Sequence, residues 1–396
     1  MHYDFDTSPN RFNTESFKWR CYDPDILPLF VADMDFISPE PVIRALRERV
    51  EHGIFGYPCE MKELRQVIVE RLAERYAWHI QPEDLVFIPG VVKGLNMACH
   101  AFVSPDQAVL VQTPVYPPFL KAPDYAGAAR QDAELLRHPE TGAYTIDWQA
   151  FEAAITDQTR LFILCSPHNP IGRVWQREEL ERMAEICLQR KILIVSDEIH
   201  CDLLFNGHTH IPTASLDPQV AQQTITLMAP SKTFNIAGLE FSFAVIQNPE
   251  LRKQFQHAHK GLVGGINLMG WVAALAAYQD GQDWLDQLLV YLQANRDFLY
   301  EMVQSKLPGV HITLPEGTYL AWLDCRQAEI PGNPYEFFLQ KARVALNDGK
   351  TFGKGGEGFV RLNFGCPRRM LAEGLERMKA ALSGEQIGFL GTPVSE

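Results

Sequence analysis

Lys232 stands between two hydroxyl residues, Ser231 and Thr233, just after an apolar run at 224–228 and the dipeptide Ala229-Pro230. A lysine in a loop is ordinarily a solvated charge. This one has company, because two earlier apolar runs end in Ser166-Pro-His-Asn169-Pro and Ser196-Asp197-Glu198-Ile-His200. A lysine amine can condense with an aldehyde. A carboxylate such as Asp197, set against a pyridine nitrogen, keeps that nitrogen protonated and the ring able to accept electrons. Asn169 and His200 offer donors for a ring oxygen, and Tyr116, in Thr113-Pro-Val-Tyr116-Pro-Pro, offers an aromatic face. Pro89-Gly90-Val91-Val92-Lys93-Gly94 lies between an apolar run at 85–88 and a helical pattern at 95–102. Backbone N–H groups at such a helix start form a seat for phosphate. Singly, each feature has a bland reading: Asn-Pro as a turn, Asp197 as a helix cap, His200 as a core histidine, Tyr116 as packing. In this order, at successive strand ends, they fit a phosphorylated pyridine aldehyde with Lys232 as its Schiff-base lysine.

The elements that must position these residues follow from hydrophobic patterning. Apolar runs at 85–88, 108–111, 161–165, 192–195, 224–228 and 241–246 are short and continuous, and helical patterns such as 177–189 separate several of them. Runs apolar on both faces and joined this way imply a mostly parallel sheet covered by helices. The run at 241–246 follows its predecessor closely and is the antiparallel exception. Amphipathic spacing predicts helices over 39–53, 61–77 and 284–303. Beyond these, strands at 310–314, 319–324 and 359–364 alternate with helices at 335–346 and 370–382. The fold class expected is α/β, with a mostly parallel central sheet in a large domain and a smaller α+β domain. The divisions expected are an N-terminal arm joined to the small domain (1–47), a large cofactor-binding domain (48–290) and a small C-terminal domain (291–396). The last dozen residues read as disordered.

With 396 residues, 46% apolar and 21% charged, the chain can bury a large core. A net charge of −13 argues against nucleic acid or an anionic membrane as partner. The eight cysteines contain no C-x-x-C and read as free thiols of a reducing compartment, with no disulfide framework or metal site. The uncharged stretch 261–279 holds four glycines and Asn267, and reads as a buried loop and helix in place of a membrane span. A cytoplasmic location is expected, since the acidic, polar start of the chain carries no targeting pattern.

Several longer stretches carry a resemblance: Thr14-Glu-Ser-Phe-Lys-Trp19, Leu27-Pro-Leu-Phe-Val-Ala-Asp-Met-Asp-Phe36, Phe55-Gly-Tyr-Pro58, Ser231-Lys-Thr-Phe-Asn-Ile-Ala-Gly-Leu239 and Phe359-Val-Arg-Leu-Asn-Phe-Gly-Cys-Pro367. With them, the chain resembles the fold-type I, class I/II aminotransferase superfamily of pyridoxal-phosphate enzymes, essentially end to end. Within it, the chain is similar to the cystathionine β-lyase/C–S lyase subgroup. The resemblance implies pyridoxal 5'-phosphate joined to Lys232, Asp197 on the pyridine nitrogen and Asn169 on the ring hydroxyl. It puts His200 where many relatives have a tyrosine, Tyr116 in the stacking position and the Val91 and Val92 amides on the phosphate. It implies Arg361 as clamp of the substrate α-carboxylate, and a homodimer in which Tyr57 reaches the other subunit's phosphate. Ala229 and Glu240 depart from the broader pattern, which often has a phosphate-binding serine and arginine there, so Ser231 and backbone amides are expected to carry more of the grip. The activity implied is β-elimination from L-cystathionine or a related L-cysteine S-conjugate, giving a thiol, pyruvate and ammonia. Transamination by the same residues is the alternative, and a regulatory protein-binding role beside catalysis is the second.

Overall fold

The computed structural model describes residues 2–261 and 263–385; the expected disorder of the last dozen residues falls almost wholly outside that range. Seven strands build the main sheet: β1 (Leu85–Ile88), β2 (Ala108–Thr113), β3 (Ala129–Glu134), β4 (Thr159–Cys165), β5 (Leu193–Asp197), β6 (Thr224–Met228) and β7 (Ser242–Val245). Their order is β1-β7-β6-β5-β4-β2-β3. All neighbours are parallel except β7, which runs antiparallel to both β6 and β1. Two antiparallel steps restore the direction of β1, so its carboxyl end opens on the same edge as those of β4, β5 and β6. Strands β2, β5 and β6 are buried along their whole length, as a sheet covered on both faces requires. The polar edge strand β3, Ala-Arg-Gln-Asp-Ala-Glu, has no continuous apolar run to announce it.

Around this sheet stand α1 (Glu40–Glu51), α2 (Lys62–Tyr76), α3 (Val91–Phe102), α4 (Arg177–Arg190) and α5 (Leu268–Asp280). Helix α3 starts four residues earlier than its apolar spacing suggests, directly after Gly90. That residue sits at φ +117°, a conformation open to glycine and few others. In 261–280 the helical part is buried through Trp271, Ala273, Ala274 and Ala277, whereas Gly264 and Gly265 are exposed, so only half of the expected buried segment is buried.

The 25-residue helix α6 (Gln282–Lys306) leads to a second sheet of β8 (His311–Ile312), β9 (Leu320–Asp324), β10 (Asn347–Asp348) and β11 (Phe359–Asn363), in the order β8-β9-β11-β10. Helix α7 (Arg368–Leu382) closes this lobe. The helix expected at 335–346 is not continuous. A short turn at Pro334–Phe337 widens into a π-helical stretch, Arg343 turns left-handed at φ +53°, and Val344–Ala345 pair in parallel with Leu27–Pro28 of the arm. Pairing with the arm outweighs the local helical pattern.

The arm is held by a buried charge cluster. Asp35, 1% exposed, accepts from Lys18 Nζ at 2.6 Å, Arg11 Nη1 at 2.5 Å and Trp19 Nε1 at 2.7 Å. The motifs 14–19 and 27–36 are therefore two halves of one latch. Removing Lys18 leaves Asp35 with Arg11 and Trp19 but takes away one buried charge-assisted bond, at a cost of roughly 1.5–3 kcal/mol. Lys18→Met is expected to lower unfolding stability by about that amount, read from the urea midpoint; an unshifted midpoint would show that the latch does not hold the arm.

Candidate active site

The parallel register brings the chemistry-bearing strand ends level. Cys165 of β4 pairs with Asp197 of β5, and Asp197 with Leu227 of β6. Two further backbone bonds extend the ladder, Ser166 N–H to Asp197 O and Glu198 N–H to Leu227 O. Neighbouring strands lie about 4.8 Å apart, so the segments carrying Asn169, Asp197 with His200, and Ser231 with Lys232 emerge side by side. They open on a cavity of about 220 Å³, lined also by Val91, Val92, Lys93, Tyr116 and Glu240. Of the sequence candidates, Lys232, Asp197, His200, Val91, Val92, Tyr116, Asn169 and Ser231 all line it.

Arg361 comes from the other sheet and reaches the same place. Its Nη1 donates to Asn169 Oδ1 at 2.9 Å, and its Nη2 donates to Asn347 Oδ1 at 2.7 Å. The first bond makes the Asn169 oxygen an acceptor that is already used, which leaves its NH₂ as the end free to donate. Tyr57 is different: it is fully exposed, in a loop after α1, and does not line the cavity.

Buried ionisable groups of both signs stand at and beside the cavity. Asp197 is 6% exposed; among the described residues its carboxylate accepts only from Ile199 N–H at 3.1 Å and has no cation within 4.0 Å. Burial pushes its pKa up to about 7, and nearby Glu198 adds to this. Arg361 is 3% exposed and has no carboxylate within 4.0 Å among the described residues; its Nε has no hydrogen-bond partner. Burial lowers its pKa to about 10. Among the described residues His200 Nδ1 likewise has no partner, and burial followed by the Lys232 and Arg361 charges holds the imidazole neutral, with a pKa of about 3.

Lys232 Nζ donates to the Ala32 carbonyl at 2.6 Å, and the Tyr319 hydroxyl donates to the same oxygen at 2.8 Å. Burial brings the amine down to about 8, so the uncharged, nucleophilic form is far more accessible near neutral pH than for a solvated lysine. The Ala32 carbonyl is aimed by strained backbone: Val31 has φ +55°, unusual for a β-branched residue. Asn363 Nδ2 bridges Val31 O at 2.6 Å and Asp33 O at 2.7 Å, and Asn235 clasps Met34 and Phe36. Ala32, Tyr319, Asn235 and Asn363 were not singled out from the sequence. Three of them lie inside the motifs 27–36, 231–239 and 359–367, and membership in those motifs was the signal available.

Fold and site together define the class. Residues 24–378 match the family of class I and II aminotransferases, and the chain belongs to that family. It is 41% identical over 395 residues to cystathionine beta-lyase PatB from Bacillus subtilis strain 168, covering 96% of this chain and 100% of that one. Among solved structures, OvoB superposes with a TM-score of 0.92 at 44% identity, over 96% of this chain and 99% of that chain. A PLP-bound C-S lyase from Staphylococcus hominis superposes with a TM-score of 0.90 at 35% identity, over 96% and 98%.

A buried, unpaired carboxylate is unfavourable until a cation meets it. Asp197→Asn is therefore expected to raise the melting temperature of the cofactor-free protein while weakening cofactor binding at least about tenfold. Thermal melts with and without pyridoxal 5'-phosphate check this; equal affinity in both proteins would take Asp197 off the ring nitrogen.

Proposed function

We propose that the protein is a pyridoxal-phosphate-dependent carbon–sulfur β-lyase that cleaves L-cystathionine or a related L-cysteine S-conjugate into a thiol, pyruvate and ammonia. The observation that carries this is a set of buried charges of opposite sign around one cavity: Asp197 and Lys232 line it, and Arg361 stands behind its wall on Asn169. A protonated pyridine suits Asp197 and an amino-acid carboxylate suits Arg361.

Pyridoxal 5'-phosphate, when bound, supplies an aldehyde for the substrate amine and a ring that accepts the electrons left as Cα loses its proton. Asp197 would hold the ring N–H, and the Asn169 NH₂ with the neutral His200 would donate to the ring oxygen. Tyr116 would lie against the ring. The Val91 and Val92 amides and the Ser231 hydroxyl would hold phosphate at the start of α3. Lys232 would first hold the aldehyde and then, released by the substrate amine, take the Cα proton and pass it on; an amine with a pKa near 8 can do both. Arg361 would grip the α-carboxylate with bonds that now go to the two asparagines. Cleavage of Cβ–S, with one water consumed, balances as thiol, pyruvate and ammonia.

The homodimer belongs to the same proposal. Tyr57 lies beside exposed Ile54 and Phe55, with Val50 near the end of α1, an apolar strip that suits cover by a second copy. Tyr57 would then complete the partner's phosphate site. The division into an arm (1–47), a large domain (48–290) and a small domain (291–396) is proposed on the same basis, each sheet having its own helical cover. A cytoplasmic setting agrees with eight free cysteines; among the described residues no helix is long and apolar enough to cross a membrane.

Purified enzyme incubated with L-cystathionine is expected to release thiol, ammonia and pyruvate together without a keto-acid acceptor. Acceptor-dependent amino transfer with no free thiol would make it an aminotransferase instead. Lys232→Ala is expected to abolish turnover in a folded protein. Arg361→Ala is expected to act mainly on KM, by the roughly 2–4 kcal/mol of a lost charge-assisted pair of bonds; an unchanged KM removes Arg361 from carboxylate binding.

A further inference from the structure

The phosphate end of the cavity holds an ion pair that the proposed reaction does not use. Lys93, in the first turn of α3, places Nζ 3.0 Å from Glu240 Oε2, and both residues line the cavity. The pair is about half exposed, and an exposed lysine–glutamate pair is ordinarily worth little. Its place gives it meaning. The first-turn amides of α3 have no side-chain cap, since the N-cap is Gly90. Ser231 is 9% exposed, and among the described residues its hydroxyl makes no hydrogen bond. A phosphate seated there brings a charge of about −1.5 to −2. Among the described residues lining the cavity only Lys93 and Lys232 are cationic, and Lys232 is turned to the Ala32 carbonyl. Glu240 contributes a negative charge at this rim, from a left-handed backbone position (φ +51°) that ends the turn Ala237–Leu239.

Resting on the cofactor reading above, we propose that Lys93 is the cation that neutralises the cofactor phosphate, and that Glu240 competes with the phosphate for it. The pair then sets how tightly the site holds a phosphate monoester, because Lys93 has its charge-assisted bond to give either to Glu240 or to phosphate. No bond is made or broken; one charge-assisted hydrogen bond is exchanged for another.

The test is cofactor affinity. Holoenzyme is stripped of cofactor by dialysis, and tryptophan quenching measures the Kd for pyridoxal 5'-phosphate and, separately, for pyridoxal, which lacks the phosphate. Lys93→Gln is expected to raise the first Kd at least about tenfold, the worth of a charge-assisted bond, and to leave the second unchanged. Lys93→Arg is expected to stay close to wild type, and Glu240→Gln to tighten pyridoxal 5'-phosphate binding while leaving pyridoxal alone. Overturning results are a Lys93→Gln Kd within threefold of wild type, equal losses for both ligands, or weaker binding in Glu240→Gln. If the wild type bound neither ligand, the cofactor reading itself would fall, an outcome distinct from these.

Discussion

A carboxylate and a guanidinium buried near one cavity would lower their energy most simply by meeting. Keeping Asp197 and Arg361 apart is the constraint on which the rest of the structure depends. Asn169 and Asn347 do this by occupying both Nη atoms of Arg361 with neutral oxygens, which orient the guanidinium without cancelling its charge. Asp197 is restrained by one backbone amide and is otherwise left with its burial cost. The two charges sit on different sheets, Asp197 at the end of β5 and Arg361 within β11. The separation is therefore built into the packing of two lobes and does not rest on side-chain rotamers alone. A site of this kind trades stability for affinity: the unfavourable burial of each charge is relieved only by a ligand with the matching pattern.

The same logic explains where strain is placed. Val31 adopts a left-handed conformation beside the Ala32 carbonyl, which receives both the Lys232 amine and the Tyr319 hydroxyl. Strain of this kind persists only where its surroundings over-determine it. Here the surroundings are the Asn363 amide beneath the turn, the Asn235 amide beside it and the Asp35 cluster behind it. The latch is thus part of the active-site scaffold. It fixes an acceptor opposite an amine whose charge is already weakened by burial.

Most of the main sheet was legible because its strands are continuous apolar runs between helical patterns, and the antiparallel β7 was legible because too little chain precedes it for a crossover. The strand ends followed, and with them Lys232, Asp197, His200 and Asn169. Edge strand β3 was not legible, since a half-exposed strand with charged residues carries no apolar run. The break at 338–345 was not legible either, because parallel pairing with Leu27–Pro28 is a contact across more than three hundred residues that no local pattern encodes. Backbone acceptors such as the Ala32 carbonyl are invisible in residue type. Their only sign was the density of small and polar residues around them in motifs whose purpose sequence alone left open.

Lys232 and Arg361 also depend on each other through the arm. Arg361 lies on the strand that supplies Asn363, two residues on, and Asn363 holds the turn that presents Ala32 to Lys232. One strand of the small lobe therefore positions both the group that would grip a substrate carboxylate and, through a single amide, the acceptor for the amine that would take its Cα proton. Residues two apart on a strand face the same side, so Arg361 and Asn363 share a face by periodicity. Through Asn169 on one side and the Val31–Asp33 turn on the other, β11 thus ties the small lobe to two walls of the site.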